Sequence, residues 1–190
     1  MSQVSFRKIE RSDLELVRQW RNSTRVNSQM INQQYISKDA QNDWFNRVKQ
    51  SNDQKHFICL LDGRAIGVLN FSGITKLECE WGCYLGEERV LPGIGLVIEA
   101  AALIYSFNYL SVNRLNANVL ASNTNPQSMH RFYGYNQLEN KIVTNASGMQ
   151  LEMACFYYQK EQWELNFKAV YDKLPKLILK VIENTEFIVD

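Results

Sequence analysis

The chain has 190 residues, a formal net charge of +1, 45% hydrophobic residues and 12% aromatic residues. This length and composition suit one compact globular domain, and the balanced charge gives no indication of a nucleic-acid-binding surface. The first residues, Met1 to Arg7, contain no apolar stretch like a signal peptide, and no window approaches the roughly 18 apolar residues of a membrane span. We therefore expect a cytoplasmic protein without a membrane span.

The cysteines are dispersed along the chain, at Cys59, Cys79, Cys83 and Cys155. Cys79 and Cys83 lack both the C-x-x-C spacing and the nearby histidine pair that are typical of zinc sites. The sequence therefore predicts reduced, buried thiols and no metal.

The first third of the chain predicts two helices. Ser12 can cap a helix over Asp13 to Trp20, and Ser37 can cap a second helix over Lys38 to Lys49. Between them, Asn22 to Ile36 is predicted to be irregular.

Strands follow. His56 to Leu61 and Ala65 to Phe71 form a predicted hairpin around Asp62-Gly63. The next predicted elements are a strand from Glu78 to Leu85, a loop from Gly86 to Pro92, a long helix from Gly93 to about Tyr109, and a strand from Arg114 to Leu120.

Asn125 and Pro126 suit the N-cap and the first position of a short helix that ends at Gly134. Two strands, Asn136 to Thr144 and Met149 to Gln159, and a helix from about Glu161 to Lys173 complete the pattern. This order predicts an α+β fold with one right-handed crossover, in a single domain at 1–175 followed by a tail at 176–190.

The most informative segment is the turn from the Glu78 to Leu85 strand into the long helix. Gly93 and Gly95 let the backbone approach a ligand closely, and the free amides at the helix N-terminus favour a pyrophosphate. A tight structural turn is the alternative for such a short G-x-G pattern.

The segments that follow favour the ligand-binding turn. After the strand at Arg114 to Leu120 the chain reads Asn123-x-x-Pro126-x-x-x-His130-x-x-x-Gly134-Tyr135. This order resembles the GNAT (Gcn5-related) N-acetyltransferase superfamily. The resemblance implies a mixed, mostly antiparallel twisted sheet of about six or seven strands flanked by helices, with acetyl-CoA as co-substrate.

Further segments are similar to the branch that contains ribosomal-protein N-terminal acetyltransferases and nucleotide-amino-sugar N-acetyltransferases, above all the 4-amino-4,6-dideoxy-altrosamine type. These segments are Trp20-Arg21-Asn22, Glu80 to Leu85, Glu99-Ala100 and Glu161-Gln162-Trp163. The chain departs from the superfamily pattern at three positions. Val90 occupies the glutamine or arginine position, Pro92 removes a loop amide, and His130 replaces a tyrosine that many members use as general acid.

The resemblance also implies that the Glu78 to Leu85 strand bends away from the Arg114 to Leu120 strand, often at a bulge, and that pantetheine enters the gap like an added strand. The residues expected to bind the cofactor are Cys83, Tyr84, Leu85, Arg89, Gly93, Ile94, Gly95, Leu96, Asn123 and His130.

For catalysis, Glu80 is the candidate general base and His130 the candidate general acid, with Tyr133 in reserve. A strand carboxylate in an ion pair is the alternative for Glu80, and a packing histidine is the alternative for His130. Glu99, within an apolar helix, is expected to be a buried polar anchor to the acceptor-side loop, with a catalytic role as the alternative.

Acceptor-binding residues are expected from the N-terminal helices and the sheet edge: Trp20, Arg21, Asn22, Arg25, Tyr35, Trp44 and Phe71. A helix-packing role is the alternative for Trp20 and Trp44. Aromatic, arginine and amide side chains suit a nucleotide-linked amino-deoxy sugar. Two alternatives remain open: acetylation of a protein N-terminus or a small amine, and a catalytically silent GNAT-fold binding module. A homodimer is compatible with acetylation of an amino sugar and with acetylation of a protein N-terminus or a small amine.

Overall fold

The computed structural model describes residues 2–188 as one twisted sheet with helices on both faces. The strands are β1 (Val4–Lys8), β2 (Lys55–Leu61), β3 (Arg64–Ser72), β4 (Glu78–Leu85), β5 (Arg114–Leu120), β6 (Asn136–Gln137), β7 (Lys141–Thr144), β8 (Gln150–Gln159) and β9 (Glu186–Ile188). The α-helices are α1 (Leu14–Asn22), α2 (Thr24–Asn27), α3 (Lys38–Gln50), α4 (Ile94–Ile104), α5 (Thr124–Tyr133), α6 (Lys160–Tyr171) and α7 (Lys176–Glu183).

The strand order is β6-β8-β5-β4-β3-β2-β1-β9, and β7 also pairs with β8. The β4–β5 and β1–β9 pairs are parallel, whereas the other pairs are antiparallel. The α4 crossover joins the parallel strands β4 and β5. The prediction of a mixed, mostly antiparallel sheet is confirmed, and the sheet has more strands than the six or seven expected.

Each face of the sheet has its own apolar core. Alternate residues of β4 and β5, including Cys79, Trp81 and Leu115, pack against α4 and α7 on one face. On the opposite face, Ile58 and Val68 pack against α1 and α3. Because neighbouring strand residues point to opposite faces, β4 presents Glu80 and Tyr84 to the side of α1.

Several predicted boundaries need correction. The first helix begins with a capping box between Glu10 and Asp13 in place of a Ser12 cap, because a short 3-10 turn precedes α1. Helix α5 begins at Thr124 after Asn123, two residues earlier than expected, so Pro126 is its third residue. The expected strand at Asn136 to Thr144 is two short strands that pair with different parts of β8.

The segment after Pro175, which the sequence separates as a tail, is ordered through residue 188. Ile178, Val181 and Ile182 of α7 are buried, and this helix packs against α4. Strand β9 then pairs with β1, and Phe187 stacks on Phe6 with ring centroids 4.7 Å apart. Residues 176–188 therefore extend both the sheet and the core. Across residues 2–188, none of the helices combines the length and the apolar character that crossing a membrane requires.

Residue 86, just after β4, must be glycine because the Trp20 ring packs directly against its Cα. A Cβ atom at Gly86 would lie 1.9 Å from Cδ2 of the Trp20 ring, which is rigid and buried. We expect Gly86→Ala to lower the free energy of unfolding by about 1–3 kcal/mol, the usual cost of overpacking, as measured by urea unfolding. Gly82→Ala is the control, because its Cβ would meet only the side chain of Asn70 at 3.4 Å. Equal stability of the two variants would contradict this explanation.

Candidate active site

The site is built around a gap between two parallel strands. β4 and β5 pair from Glu78 opposite Arg114 to Trp81 opposite Ala117, and no pairing continues beyond Trp81 although both strands do. The β3–β4 register shows no bulge; the irregularity in this part of the sheet lies between Cys59 and Leu60 in β2. The gap therefore opens by divergence of β4 from β5, without the bulge that the resemblance implies, and it leaves backbone groups free to pair with an extended ligand.

The N-terminus of α4 lies at the end of β4 that borders this gap. Gly93 caps the helix with a left-handed backbone (φ 83°), which glycine adopts without strain. The amides of Ile94 and Leu96 donate to Leu91 O and Gly93 O. Within residues 2–188 the amides of Gly93 and Gly95 make no such turn bonds, so they can meet a pyrophosphate at the positive end of the helix dipole.

The loop before α4 is held by two arginines. Arg25 donates to Leu85 O at 3.0 Å and to Gly86 O at 2.6 Å, and Arg64 donates to Arg89 O at 2.7 Å. The expectation that Arg25 binds the acceptor is therefore corrected, because its guanidinium already binds loop carbonyls. The side chain of Arg89 is exposed on the same loop.

Gly95 faces α5, where a Cβ atom would lie 2.7 Å from Met129 Sδ, the flexible end of a side chain. We expect Gly95→Glu to weaken acetyl-CoA binding by tenfold or more, about 1.4 kcal/mol, because it adds a negative charge beside the pyrophosphate and displaces Met129. Calorimetry measures the Kd, and Gly95→Ala is the control for displacement without charge. Unchanged affinity in a folded Gly95→Glu protein would remove this turn from the site.

Glu80 lies at the narrow end of the gap, next to Trp81, where the pairing of β4 with β5 ends. Asn118 donates from Nδ2 to Glu80 Oε2 at 2.6 Å, from the first part of β5 that no longer pairs with β4. Glu80 is half-buried on the face opposite α4. A carboxylate held here, beside the end of the gap, is placed to take a proton from an amine that attacks a thioester in the gap.

His130 lies on the opposite face of the sheet, at the same narrow end of the gap. Its Nδ1 is 2.6 Å from Glu99 Oε1, and both side chains are almost fully buried. Its ring centroid is 5.7 Å from that of Trp81, the last β4 residue that pairs with β5. Glu99 is thus buried as the sequence predicts, but its partner is His130 on α5 and not the acceptor-side loop.

Tyr133 and Cys83 are less suited to chemistry. The Tyr133 hydroxyl donates to Leu96 O at 2.7 Å, and burial raises its pKa well above the usual range. The reserve-acid assignment of Tyr133 is therefore corrected: its proton is already engaged in docking α5 on α4. Cys83 is exposed, in contrast to the buried thiol that the sequence predicts, whereas Cys59, Cys79 and Cys155 are buried as expected. Desolvation of its sulfur and the nearby Glu99 raise the pKa of the Cys83 thiol to about 12, so it is a neutral thiol and a poor nucleophile. Within residues 2–188, no group of three or more His, Cys, Asp or Glu side chains could hold a metal ion.

Two aromatic residues expected to bind the acceptor belong to the core. Trp20 is buried and donates from Nε1 to Glu87 Oε1 at 3.1 Å. Phe71 is fully buried on the α4 face, stacked on Tyr105. Both expectations are corrected, because neither ring reaches a cleft on the α1 side.

The segment between α1 and α3 is tethered at its end. Asn22 accepts from the Ile36 amide at 2.8 Å and donates to Ile36 O at 2.9 Å, so its side chain is engaged in this tether. Tyr35 is 75% exposed, and its hydroxyl bonds with Arg18. Asn145 in the β7–β8 hairpin donates to Ile31 O at 3.1 Å. These contacts leave a cleft of about 220 Å³ lined by Asn32, Gln33, Gln34, Asn145, Ser147 and Met149.

Trp44 is half-buried and packs edge-on against His56, with centroids 5.0 Å apart. Burial lowers the pKa of His56 from 6.5 to about 4, so the unfolded chain binds a proton between these values that the folded protein does not bind. We expect the protein to lose up to about 3 kcal/mol of stability through this group as pH falls from 6.5 towards 4. Urea unfolding of His56→Gln should show a smaller loss over this range; an identical loss would exclude His56 as the cause.

Arg21 differs from the other arginines of α1 and α2. Its guanidinium lies 5.8 Å from the Tyr84 ring centroid, and Nη1 is buried without a hydrogen-bond partner in the described part of the chain. Burial lowers its pKa. A partly desolvated cation without a counterion favours an anionic ligand group at this position.

Sequence reasoning missed Asn118 and the bond between Trp81 Nε1 and Tyr135 OH at 3.1 Å. A signal for the first was present, since Asn116 and Asn118 recur with a period of two in a strand, where asparagine is unfavourable. The partners of His130 gave no such signal, because Glu99 is 31 residues away on another helix.

Comparisons with known proteins agree with this geometry. The acetyltransferase (GNAT) domain profile matches residues 3–136. Acetyltransferase PseH of Campylobacter jejuni is 30% identical over 119 residues, which cover 63% of this chain and 74% of the relative. Spermidine N-acetyltransferase from Vibrio cholerae, solved with CoA and spermine, superposes with a TM-score of 0.78 at 19% identity, over 85% of this chain and 98% of that one.

The crystal structure of Campylobacter jejuni PseH in complex with acetyl coenzyme A superposes with a TM-score of 0.63 at 19% identity, over 83% of this chain and 99% of that one. At such identities the superpositions show a shared fold. The profile match, which covers more than half of the chain, establishes the family. The chain belongs to the GNAT acetyltransferases and is an acetyl-CoA-dependent N-acetyltransferase.

Proposed function

We propose that the protein transfers the acetyl group of acetyl-CoA to the primary amine of a nucleotide-linked amino-deoxy sugar in the cytoplasm. The observation that carries the proposal is Arg21, a half-buried cation without a counterion in the described chain, on the same face as Glu80. Its neighbour Tyr84 lies four residues beyond Glu80, about 13 Å along the strand. An amine at Glu80 and a phosphate at Arg21 are separated by a distance that a sugar ring and its phosphate link can span.

The surroundings of this face also favour such an acceptor over a polyamine. Residues 22–36 contain no acidic side chain, and the cleft against the β7–β8 hairpin is lined by amides, a hydroxyl and one methionine. Amides and hydroxyls bind sugar hydroxyls and phosphates, but they do not attract a polycation by charge. The resemblance to amino-sugar acetyltransferases supports the same acceptor class.

The candidate residues divide the reaction between the two sheet faces. Glu80 receives the proton that the amine loses as its nitrogen bonds to the acetyl carbon. The first turn of α4 and its dipole bind the pyrophosphate. On the opposite face, His130 supplies a proton to the sulfur when the carbon–sulfur bond breaks, so that one amide and one thiol form from one amine and one thioester.

The test is an acceptor screen with acetyl-CoA, in which CoA release is measured for UDP- and dTDP-linked amino-deoxy sugars, free amino sugars, spermidine and N-terminal peptides. We expect the nucleotide-linked sugars to have the highest kcat/KM. Efficient acetylation of spermidine or of a basic peptide, without activity on any nucleotide-linked amino sugar, would overturn the proposal and leave the family assignment intact.

A further inference from the structure

The Glu99–His130 pair has a role that the family resemblance does not supply, since His130 stands where many members have a tyrosine. The pair joins the middle of α4 to α5 through one bond of 2.6 Å, and the side chains of the two residues are 1% and 3% exposed. The second nitrogen of His130, Nε2, is buried and has no hydrogen-bond partner within residues 2–188. Because buried polar atoms are almost always paired, Nε2 calls for a partner that the described part of the chain does not supply.

We propose that Glu99 is a positioning residue for His130: it binds the proton on Nδ1 and thereby makes Nε2–H the donor to the departing thiolate of CoA. This proposal rests on the acyl transfer described above, in which His130 protonates the sulfur, and names the residue that orients His130 for that step. Without Glu99, a neutral imidazole could carry its single proton on either nitrogen.

The proton count of the pair explains why Nε2 keeps its proton. A carboxylate with an imidazolium and a carboxylic acid with an imidazole are both neutral overall, and in both Nε2 carries a proton while Nδ1 shares one with Glu99. Loss of the Nε2 proton to water would leave a net negative charge in the core, which burial disfavours, whereas its transfer to a thiolate moves a negative charge from the sulfur to the pair without adding one. Desolvation raises the pKa of Glu99, although His130 partly opposes this shift. The neutral pair thus carries on Nε2 a proton that can be transferred.

The surroundings support the same charge state. On α5 and the residues after it, the neighbours are Tyr133 and Tyr135, and β4 contributes Cys83 and Trp81. Burial raises the pKa of Tyr133, Tyr135 and Cys83, so all three remain neutral near pH 7. Phe156 and Tyr158 of β8 complete the aromatic surroundings. The exposed Arg131 lies over the ring of Phe156. None of these groups is another carboxylate or a buried cation, so no neighbouring charge alters the charge state of the Glu99–His130 pair.

In the chemical step, the bond between the amine nitrogen and the acetyl carbon forms, and the carbon–sulfur bond breaks with its electron pair on sulfur. Nε2 then gives its proton to the thiolate, while Glu80 holds the proton from the amine. The Glu99–His130 pair is left one proton short, and Glu80 has one proton more. Proton exchange with water restores both groups before the next turnover.

Nitrogen-15 NMR of the wild-type protein tests the inference without any acceptor. The chain has two histidines, so His56→Gln assigns the His130 signals. We expect Nε2 of His130 to carry a proton at neutral pH, and its signal to move when CoA is added because the sulfur becomes its partner. An unprotonated Nε2, or a signal that CoA leaves unchanged, would overturn the inference even if the acceptor screen succeeds.

Kinetics with Glu99→Gln provide the second test. The glutamine keeps the volume, and when its amide oxygen accepts from Nδ1 a neutral imidazole has no proton on Nε2, so that protonation of Nε2 would create an uncompensated buried cation. The nitrogen-15 spectrum of the variant distinguishes this state from the flipped amide, which would donate to Nδ1 and leave Nε2 protonated. We expect kcat at about pH 8 to fall roughly 10²-fold, the lower range for general acid catalysis, with the alkaline limb of the pH profile moved to lower pH and the Kd for acetyl-CoA unchanged.

Glu99→Asp, which keeps the charge on a shorter side chain, should retain the wild-type alkaline limb at reduced kcat. A Glu99→Gln protein that lowers the melting temperature but keeps the position of the limb would show a structural role only. If none of the proposed acceptors is acetylated, the proposed function fails, and the NMR result still decides the role of the pair.

Discussion

Glu80→Gln is expected to lower kcat with an amino-sugar acceptor by roughly 10²-fold or more, within the range that removal of a general base produces. The amide keeps the size of the side chain and can still accept from Asn118 Nδ2, which now lies 2.6 Å from Glu80 Oε2. It cannot accept the proton of the attacking amine. The loss should be greatest at lower pH, where more of the acceptor is an ammonium ion.

The matched control is Glu78→Gln. Glu78 precedes Glu80 by two residues on the same face of β4, and it accepts from Asn116 Nδ2 at 3.0 Å just as Glu80 accepts from Asn118. However, Glu78 lies at the first pair of the β4–β5 ladder, opposite Arg114, and so two residues further from the gap than Glu80. We expect Glu78→Gln to keep nearly wild-type kcat. If the two variants are equally active, proximity of the substrates, and no carboxylate base, accounts for the rate.

The part of the fold that frames the site could be predicted from the sequence. The bounds of β4 and β5 coincide with the predicted runs, Glu78 to Leu85 and Arg114 to Leu120, because alternating burial and the Gly86 to Pro92 loop mark them locally. Ser37 caps α3 as expected, with its Oγ accepting from the Ala40 amide. Local patterns of this kind depend on neighbouring residues only.

Other elements could not be predicted because they depend on distant partners. β9 has three residues and exists through its pairing with β1 at the other end of the chain. The amphipathic spacing of Ile178, Val181 and Ile182 is typical of a helix. Pro175 breaks the helical pattern that precedes it, however, and for that reason the sequence predicts the end of the domain there. The division of 136–144 into two strands follows from the two separate sections of β8 that they meet.

The same distinction applies to the site. The turn at Gly93 and the position of Glu80 follow from strand and helix patterns, whereas the role of each arginine does not. Arg21 and Arg25 are four residues apart and have equal claims on a phosphate by sequence. The structure separates them: Arg25 binds two carbonyls at the end of β4, and Arg21 Nη1 has no partner within residues 2–188.

Arg21→Met is therefore expected to reduce the preference of the enzyme for a nucleotide-linked amino sugar over the same free amino sugar by roughly tenfold to a hundredfold. This range corresponds to the loss of one charged hydrogen bond, about 1.5–3 kcal/mol. Methionine keeps the apolar stem that covers the Tyr84 ring, so the change removes mainly the charge. The measured quantity is the ratio of the two kcat/KM values, and the Kd for acetyl-CoA should stay unchanged.

Arg25→Met is the control that separates phosphate recognition from loop support. Its guanidinium lies across Leu85 O and Gly86 O at 3.0 Å and 2.6 Å, so its loss should loosen the turn into α4 and weaken acetyl-CoA binding. The preference for the nucleotide-linked sugar should remain. Added salt should reduce the wild-type preference more than that of Arg21→Met, because screening acts on the cation that Arg21→Met has lost. A preference that survives in Arg21→Met and disappears in Arg25→Met would reverse the two assignments and place the phosphates at the loop.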